Sequence, residues 1–241
     1  MKIQAHRGYS GKYPENTMLA FAKAVEAGCD GIELDVHATK DGVPVVIHDE
    51  TVDRTTDGKG PVIGMTLEEL RRWNAAALFP DCPRQSIPTF EEYCAWAATE
   101  DIVTNIEIKT DLVYYPDLEQ KTWDLVVKHG LQDRVLFSSF NLVSMLWMAD
   151  IVPPEVVRGA LVWVESGIHV APGDFCKKAG FQAYHPEAVM LDDENVRNCL
   201  ENGIEINVWG VNDRQTARRL RDWGCTSIIT DYPLEARQWL K

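Results

Sequence analysis

Two rhythms of apolar residues alternate along this chain. Short runs that alternate apolar and polar, or are apolar throughout, fall at 3–6, 31–36, 103–109, 135–139, 157–162, 181–185, 205–211 and 227–230, and they read as strands. Between them, stretches with helical spacing occupy 17–27, 118–128, 142–149, 172–179, 192–201 and 214–223. Gly28, Gly130, Gly180, Gly203 and Gly224 follow closely on helix candidates, the usual place for a left-handed terminator. Strand, helix and strand joined by short loops imply parallel strands. About eight such strands are what a closed (β/α)₈ barrel requires. An open doubly wound sheet is the alternative, but the first strand runs into HRGYSG and not into a Gly-rich dinucleotide turn.

One stretch breaks the alternation. After Val36 the Lys40-Asp41-Gly42 turn and the apolar run 43–47 predict a strand that doubles back as a hairpin. Residues 51–98 then form a long excursion with helices expected at 67–73 and 90–97. This is an inserted subregion after the second strand, within one domain spanning 1–241.

The polar positions inside the strands carry the chemistry. In GIELDV, Ile32, Leu34 and Val36 share one face and Glu33 and Asp35 the other, with neighbours on a face about 6 to 7 Å apart. NIEIK repeats the arrangement with Asn105, Glu107 and Lys109 opposite Ile106 and Ile108. Three inward carboxylates at one barrel mouth need a cation or a proton, since a buried unpaired charge costs several kcal/mol. Oxygen ligands of this kind suit Mg²⁺ or Ca²⁺ better than zinc. A polar strand edge in water, or a Glu107–Lys109 ion pair, would explain the same residues without a metal.

His6 ends the first strand and His48 ends the hairpin run, so both fall at the mouth that holds the acids. A histidine pair can share general acid and general base duties. Arg7 offers a fork and Lys109 a point charge for phosphate oxygens. His185 ends a later strand, within reach of substrate. His129 falls at a helix end and His169 in a loop, while Asn16 fits the N-cap of the helix at 17–27. Trp73, Trp96, Trp123, Trp147, Trp163, Trp223 and Trp239 read as core or helix-packing residues.

Composition narrows the partners. The net charge of −13 argues against nucleic acid and against an anionic membrane surface. No apolar run approaches the roughly 20 residues of a membrane span, and Met1-Lys2 leads almost at once into polar residues, too soon for the apolar core of a secretory leader. The six scattered cysteines read as reduced thiols. A cytoplasmic protein is the expectation.

The motifs HRG, PENT, AGCDGIELDVHATKDGVPVVIHD, NIEIK, VWGVN and TDYP resemble, in order, those of the glycerophosphodiester phosphodiesterase family. The resemblance runs from His6 to Pro233. It implies a (β/α)₈ barrel with a small insertion after the second strand, and metal-dependent hydrolysis of a small-molecule glycerophosphodiester to sn-glycerol 3-phosphate and an alcohol. By match to those motifs His6 and His48 are the acid/base pair, Glu33, Asp35 and Glu107 the metal ligands, and Arg7 and Lys109 the phosphate ligands. Trp209 joins them on the substrate side. One departure is Gly210, where relatives often carry threonine. A lysophospholipid-cleaving enzyme and a non-catalytic binding barrel are the alternatives, and head group and oligomeric state stay open.

Overall fold

β2 (Gly31–Ala38) is buried at every position, as expected of a strand with neighbours on both edges and helices on one face. It pairs in parallel with β1 (Lys2–His6) on one side and β4 (Val103–Ile108) on the other. This disposes of the water-facing strand edge as an explanation for Glu33 and Asp35. The computed structural model describes residues 1–166 and 171–241; the expected loop histidine, His169, lies outside them.

From β4 the parallel order continues through β5 (Val135–Ser139), β6 (Val157–Val162), β7 (Ala183–Pro186), β8 (Glu205–Val208) and β9 (Ser227–Thr230). β9 then pairs with β1 and closes an eight-stranded parallel barrel. β3 (Pro44–Val46) stands outside the barrel, antiparallel to the end of β2 through Val36–Val46 and Ala38–Pro44. The hairpin expected after Val36 is therefore present. It occupies the edge of β2 that lies beyond the end of β1.

The connecting helices are α1 (Met18–Glu26), a single turn α2 (Leu67–Leu70), α3 (Phe90–Ala97), α4 (Leu118–Lys128), α5 (Leu142–Ile151), α6 (Pro172–Ala179), α7 (Asp193–Glu201), α8 (Arg214–Asp222) and α9 (Pro233–Trp239). Capping explains most of their starts. Thr66 and Thr89 head capping boxes closed by Glu69 and Glu92. Asn141, Asp192 and Asp213 each accept from the backbone of the first turn. α1 is capped by Thr17, which accepts from the Ala20 amide. That corrects the reading of Asn16 as the cap. The helix expected at 67–73 stops at Leu70, and α9, which the pattern does not announce, begins on Pro233.

The apolar faces of strands and helices form one large core that includes Ile32, Leu34, Val36, Phe21, Tyr93, Ile106, Phe137 and Ile206. A second cluster, separate from it, joins Val45 and Ile47 to Val52, Val62, Leu70, Ala75 and Ile87. The excursion after β3 thus carries its own small core, whereas Phe90, Tyr93 and Cys94 of α3 pack into the barrel's. Among the described residues no helix is long and apolar enough to cross a membrane, and all six cysteines are free.

Candidate active site

The C-terminal ends of the barrel strands surround a cavity of about 300 Å³, the face on which barrels of this kind carry their chemistry. His6, Arg7, Glu33, His48, Glu107, Lys109 and Trp209 all line it, and Asp35 lies completely buried beside them. These eight residues come from separate stretches of sequence. Parallel register brings them together, with Glu33 beside His6 and Asp35 beside Glu107.

Backbone geometry at the first motif is forced. Arg7 turns to a left-handed φ of 55°, a conformation that costs a non-glycine residue about 1 kcal/mol. Its amide is anchored on the Glu33 carbonyl at 2.9 Å and on Glu33 Oε2 at 3.0 Å. Gly8 follows at φ 80°, where a Cβ would stand 2.7 Å from the Ala20 carbonyl carbon. Glycine is the residue that lets this loop lie against α1.

Three acids converge. Glu33, Asp35 and Glu107 each bring an oxygen within 4.8 Å of the others, and all three are buried. Burial and the neighbouring Asp35 and Glu107 charges push the Glu33 carboxyl well above its ordinary range. Glu107 is also raised, chiefly by burial, although Lys109 donates to it at 2.7 Å. Asp35 behaves differently. Burial acts to raise it, but His48, Arg7 and Lys109 on facing elements outweigh that and hold it below the usual carboxylate range. Asn16 Nδ2 donates to its Oδ2 at 2.8 Å, while Oδ1 has no hydrogen-bond partner. A buried all-oxygen set with repelling carboxylates and one orphaned lone pair suits a hard divalent cation. The Glu107–Lys109 ion pair foreseen as an alternative is present as well.

Each histidine is backed by an aspartate. His6 Nδ1 donates to Asp231 Oδ1 at 2.6 Å, and His48 Nδ1 to Asp49 Oδ1 at the same distance. This fixes the tautomer that turns Nε2 of each ring away from its aspartate; His6 Nε2 stands 3.9 Å from Glu33 Oε2. Asp231 is set in turn by Asn212, whose Nδ2 donates to it at 2.6 Å. With the hydrogen bonds from His6, Asn212 and Ser10 outweighing its burial, its carboxyl falls to about 2. The backbone carbonyl of His48 accepts from His37 Nε2 at 2.9 Å, and His37 Nδ1 meets the Tyr115 hydroxyl.

Sequence reasoning overlooked Asp49, Asp231 and His37. Asp49 had a signal, since it directly follows His48. Asp231 stands 225 positions from its partner, and only the closed barrel makes them neighbours. Asn16, read as a cap, is instead a donor to Asp35.

The opposite wall is apolar, made by Phe140, Leu161, Trp163, Trp209 and Leu112. Phe140 packs on Trp163 with centroids 4.9 Å apart and meets Trp209 edge-on at 6.1 Å. Trp209 Nε1 donates to the Val162 carbonyl at 3.2 Å. Trp163, read as a packing residue, is a partly exposed wall of the cavity. Gly210 adopts φ 75° with open space around it.

His185 does not join the others. It is fully buried in the barrel interior, where Asn207 Nδ2 donates to its Nε2 at 3.0 Å. Burial alone pushes it down to about 3. Gly159 makes room for the ring, since a Cβ there would lie 2.4 Å from Nε2.

The chain matches the glycerophosphoryl diester phosphodiesterase family model over residues 6–235. A glycerophosphodiester phosphodiesterase of Caldanaerobacter subterraneus is 39% identical over 232 residues, covering 96% of this chain and 94% of that protein. Protein YqiK of Bacillus subtilis, which is uncharacterized, is 37% identical over 100% of this chain and 98% of its own. Among solved structures, an Oleispira antarctica phosphodiesterase in complex with the product sn-glycerol-3-phosphate superposes with a TM-score of 0.86 at 28% identity. That alignment covers 100% of this chain and 96% of the other. The glycerophosphodiester phosphodiesterase of Thermotoga maritima gives a TM-score of 0.78 at 29% identity over 100% and 98%. Barrel, motifs and cavity agree with these likenesses, and the chain belongs to the glycerophosphoryl diester phosphodiesterase family.

Proposed function

We propose that this protein hydrolyses glycerophosphodiesters to sn-glycerol 3-phosphate and an alcohol, with His6 and His48 as the acid/base pair. The observation that carries this reading is their placement: two aspartate-backed imidazoles on one cavity with three buried carboxylates and two cations. Arg7 and Lys109 bind and orient the phosphate oxygens. One imidazole accepts a proton from the attacking hydroxyl and the other donates one to the departing alkoxide oxygen, each through Nε2. Asp231 and Asp49 keep the rings oriented and stabilise whichever one carries the extra proton. Glu33, Asp35 and Glu107 would hold a divalent ion, Mg²⁺ or Ca²⁺. When bound it supplies charge neutralisation at the phosphate. His185, sealed beneath the cavity, takes no part in this reading.

The test is release of glycerol 3-phosphate from glycerophosphocholine and glycerophosphoethanolamine, with EDTA and then with added Mg²⁺, Ca²⁺ or Mn²⁺. Release that needs metal and disappears in His6→Ala and Glu107→Ala supports the assignment. No release from folded protein under any metal would sink it. A second reading, cleavage of lysophospholipids, is favoured by one feature: Leu112 is 74% and Trp163 44% exposed where they line the cavity. Lysophosphatidylcholine assayed beside glycerophosphocholine separates the two.

A further inference from the structure

Arg7, just after β1, and His48, just after β3, reach the cavity from different loops, and no hydrogen bond joins them directly. A third residue joins them. Arg54, in the excursion after β3, places Nε 2.7 Å from Asp49 Oδ2 and Nη2 2.9 Å from Asp49 Oδ1. On its other side Nη1 donates to Glu15 Oε2 and Nη2 to Glu15 Oε1, both at 2.8 Å. Glu15 Oε1 also accepts from Arg7 Nη1 at 2.9 Å, and Asp49 Oδ1 from His48 Nδ1 at 2.6 Å. The Nη2 group of Arg54 therefore donates to the same two oxygens that hold the phosphate arm and the catalytic imidazole. Arg54 itself is not on the cavity wall.

We infer that Arg54 is a positioning residue that sets His48 through Asp49 and Arg7 through Glu15, making the excursion a working part of the active site. This rests on the roles given to His48 and Arg7 above. The planar guanidinium matters, because two carboxylates are each met by a pair of parallel donors, which an ammonium cannot supply. Electrostatics agrees: burial acts to raise Glu15, but the hydrogen bond from Arg54 and the charges of Arg7 and Arg54 hold its carboxyl below the usual range. The Arg54 side chain is 44% exposed. Ion pairs at that exposure contribute little to folding, so a structural role and a positioning role predict different things.

The experiment compares Arg54→Ala and Arg54→Lys with wild type for glycerophosphocholine hydrolysis and thermal midpoint, with Arg72→Ala as the control. Arg72 forms an exposed ion pair with Glu68, away from the site. We expect both Arg54 variants to lose about 10- to 100-fold in kcat, the usual range for an outer partner of a functional group, with KM raised through Arg7. The midpoint should stay close to that of Arg72→Ala. Added guanidinium should restore part of the activity of Arg54→Ala and none of that of His48→Ala. In an Asp49→Asn background, Arg54→Ala should cost much less in kcat, because the path to His48 is already cut. Near-wild-type kcat in Arg54→Ala, or activity that falls only in step with the thermal midpoint, would overturn the inference while leaving the site assignment standing. Full activity in His48→Ala would remove the site assignment itself, and the inference with it.

Discussion

The two sides of the barrel mouth are built on opposite principles. The side formed by β1, β2, β4 and the loop residues that follow them concentrates Arg7, Glu33, Asp35, Glu107 and Lys109, together with His6 and His48. It tolerates a left-handed arginine, raised carboxyls and buried polar atoms without hydrogen-bond partners at Arg7 Nε and Asp35 Oδ1. The side formed after β5, β6 and β8 is Phe140, Leu161, Trp163 and Trp209 in ordinary packing contact. The first side gives up local stability to gather charge in one place, and the second shapes the space next to it. A phosphodiester meets the same division, with a phosphate that demands charge and organic arms that do not.

The largest effects should come from cutting into the charged side. His6→Ala and His48→Ala should each lower kcat for glycerophosphodiester hydrolysis by about 10²- to 10⁴-fold, the range of general acid–base contributions. Steady-state kinetics checks this, and a loss under tenfold in either variant would take that histidine out of the reaction. Glu33→Gln makes a sharper point because its two consequences have opposite signs. It should abolish activity together with any rise in thermal midpoint on adding Mg²⁺ or Ca²⁺. In EDTA it should raise the midpoint above wild type, because it removes one of three mutually repelling buried carboxylates. A lower midpoint in EDTA would show that Glu33 stabilises the metal-free fold.

On the apolar side the effect should be smaller and of a different kind. Trp163→Ala removes a partly exposed ring packed at a tilt against Phe140. KM should rise about 3- to 10-fold, in line with the worth of one aromatic contact, while kcat changes less than twofold. The ratio of activities on glycerophosphocholine and lysophosphatidylcholine should shift with it. A loss confined to kcat would place Trp163 with the chemistry instead.

The same division governs what could be read from the chain. The barrel was legible because apolar runs recur with the period of strands and helices. The charged side was legible because polar residues stood where a buried strand should be apolar, as at Glu33, Asp35 and Glu107. Those positions violate the local pattern, and the violation is the signal. The aromatic wall violates nothing, since Phe140 and Trp163 look in sequence like any packing residues. Asp231 and Arg54 were hidden for another reason: Asp231 meets His6 across 225 positions and Arg54 meets Glu15 across 39, and only the fold makes these pairs neighbours. His185 misled because a histidine at a strand end has the same signature whether it opens to the mouth or points into the interior.

That last distinction leads to the smallest effect on activity and a clear effect on stability. His185 is buried and held neutral, its folded value pushed down to about 3 from an ordinary 6.5. Between those values the unfolded chain takes up a proton that the folded protein refuses, so acid favours unfolding. The stabilisation is complete above pH 6.5 and is lost as pH falls, at about 1.4 kcal/mol per pH unit. Asn207 Nδ2 already donates to Nε2, so a second proton there would set two donors against each other. Urea unfolding between pH 7 and pH 4.5 should therefore show a steeper loss for wild type than for His185→Gln. Glutamine can still accept from Asn207 and has no proton to gain, so the difference between the two slopes isolates this histidine from the carboxylates that titrate alongside it. Hydrolysis at pH 7 should be nearly unchanged in the variant. Parallel slopes, or activity that falls as it does in His6→Ala, would place His185 with the charged side of the mouth after all.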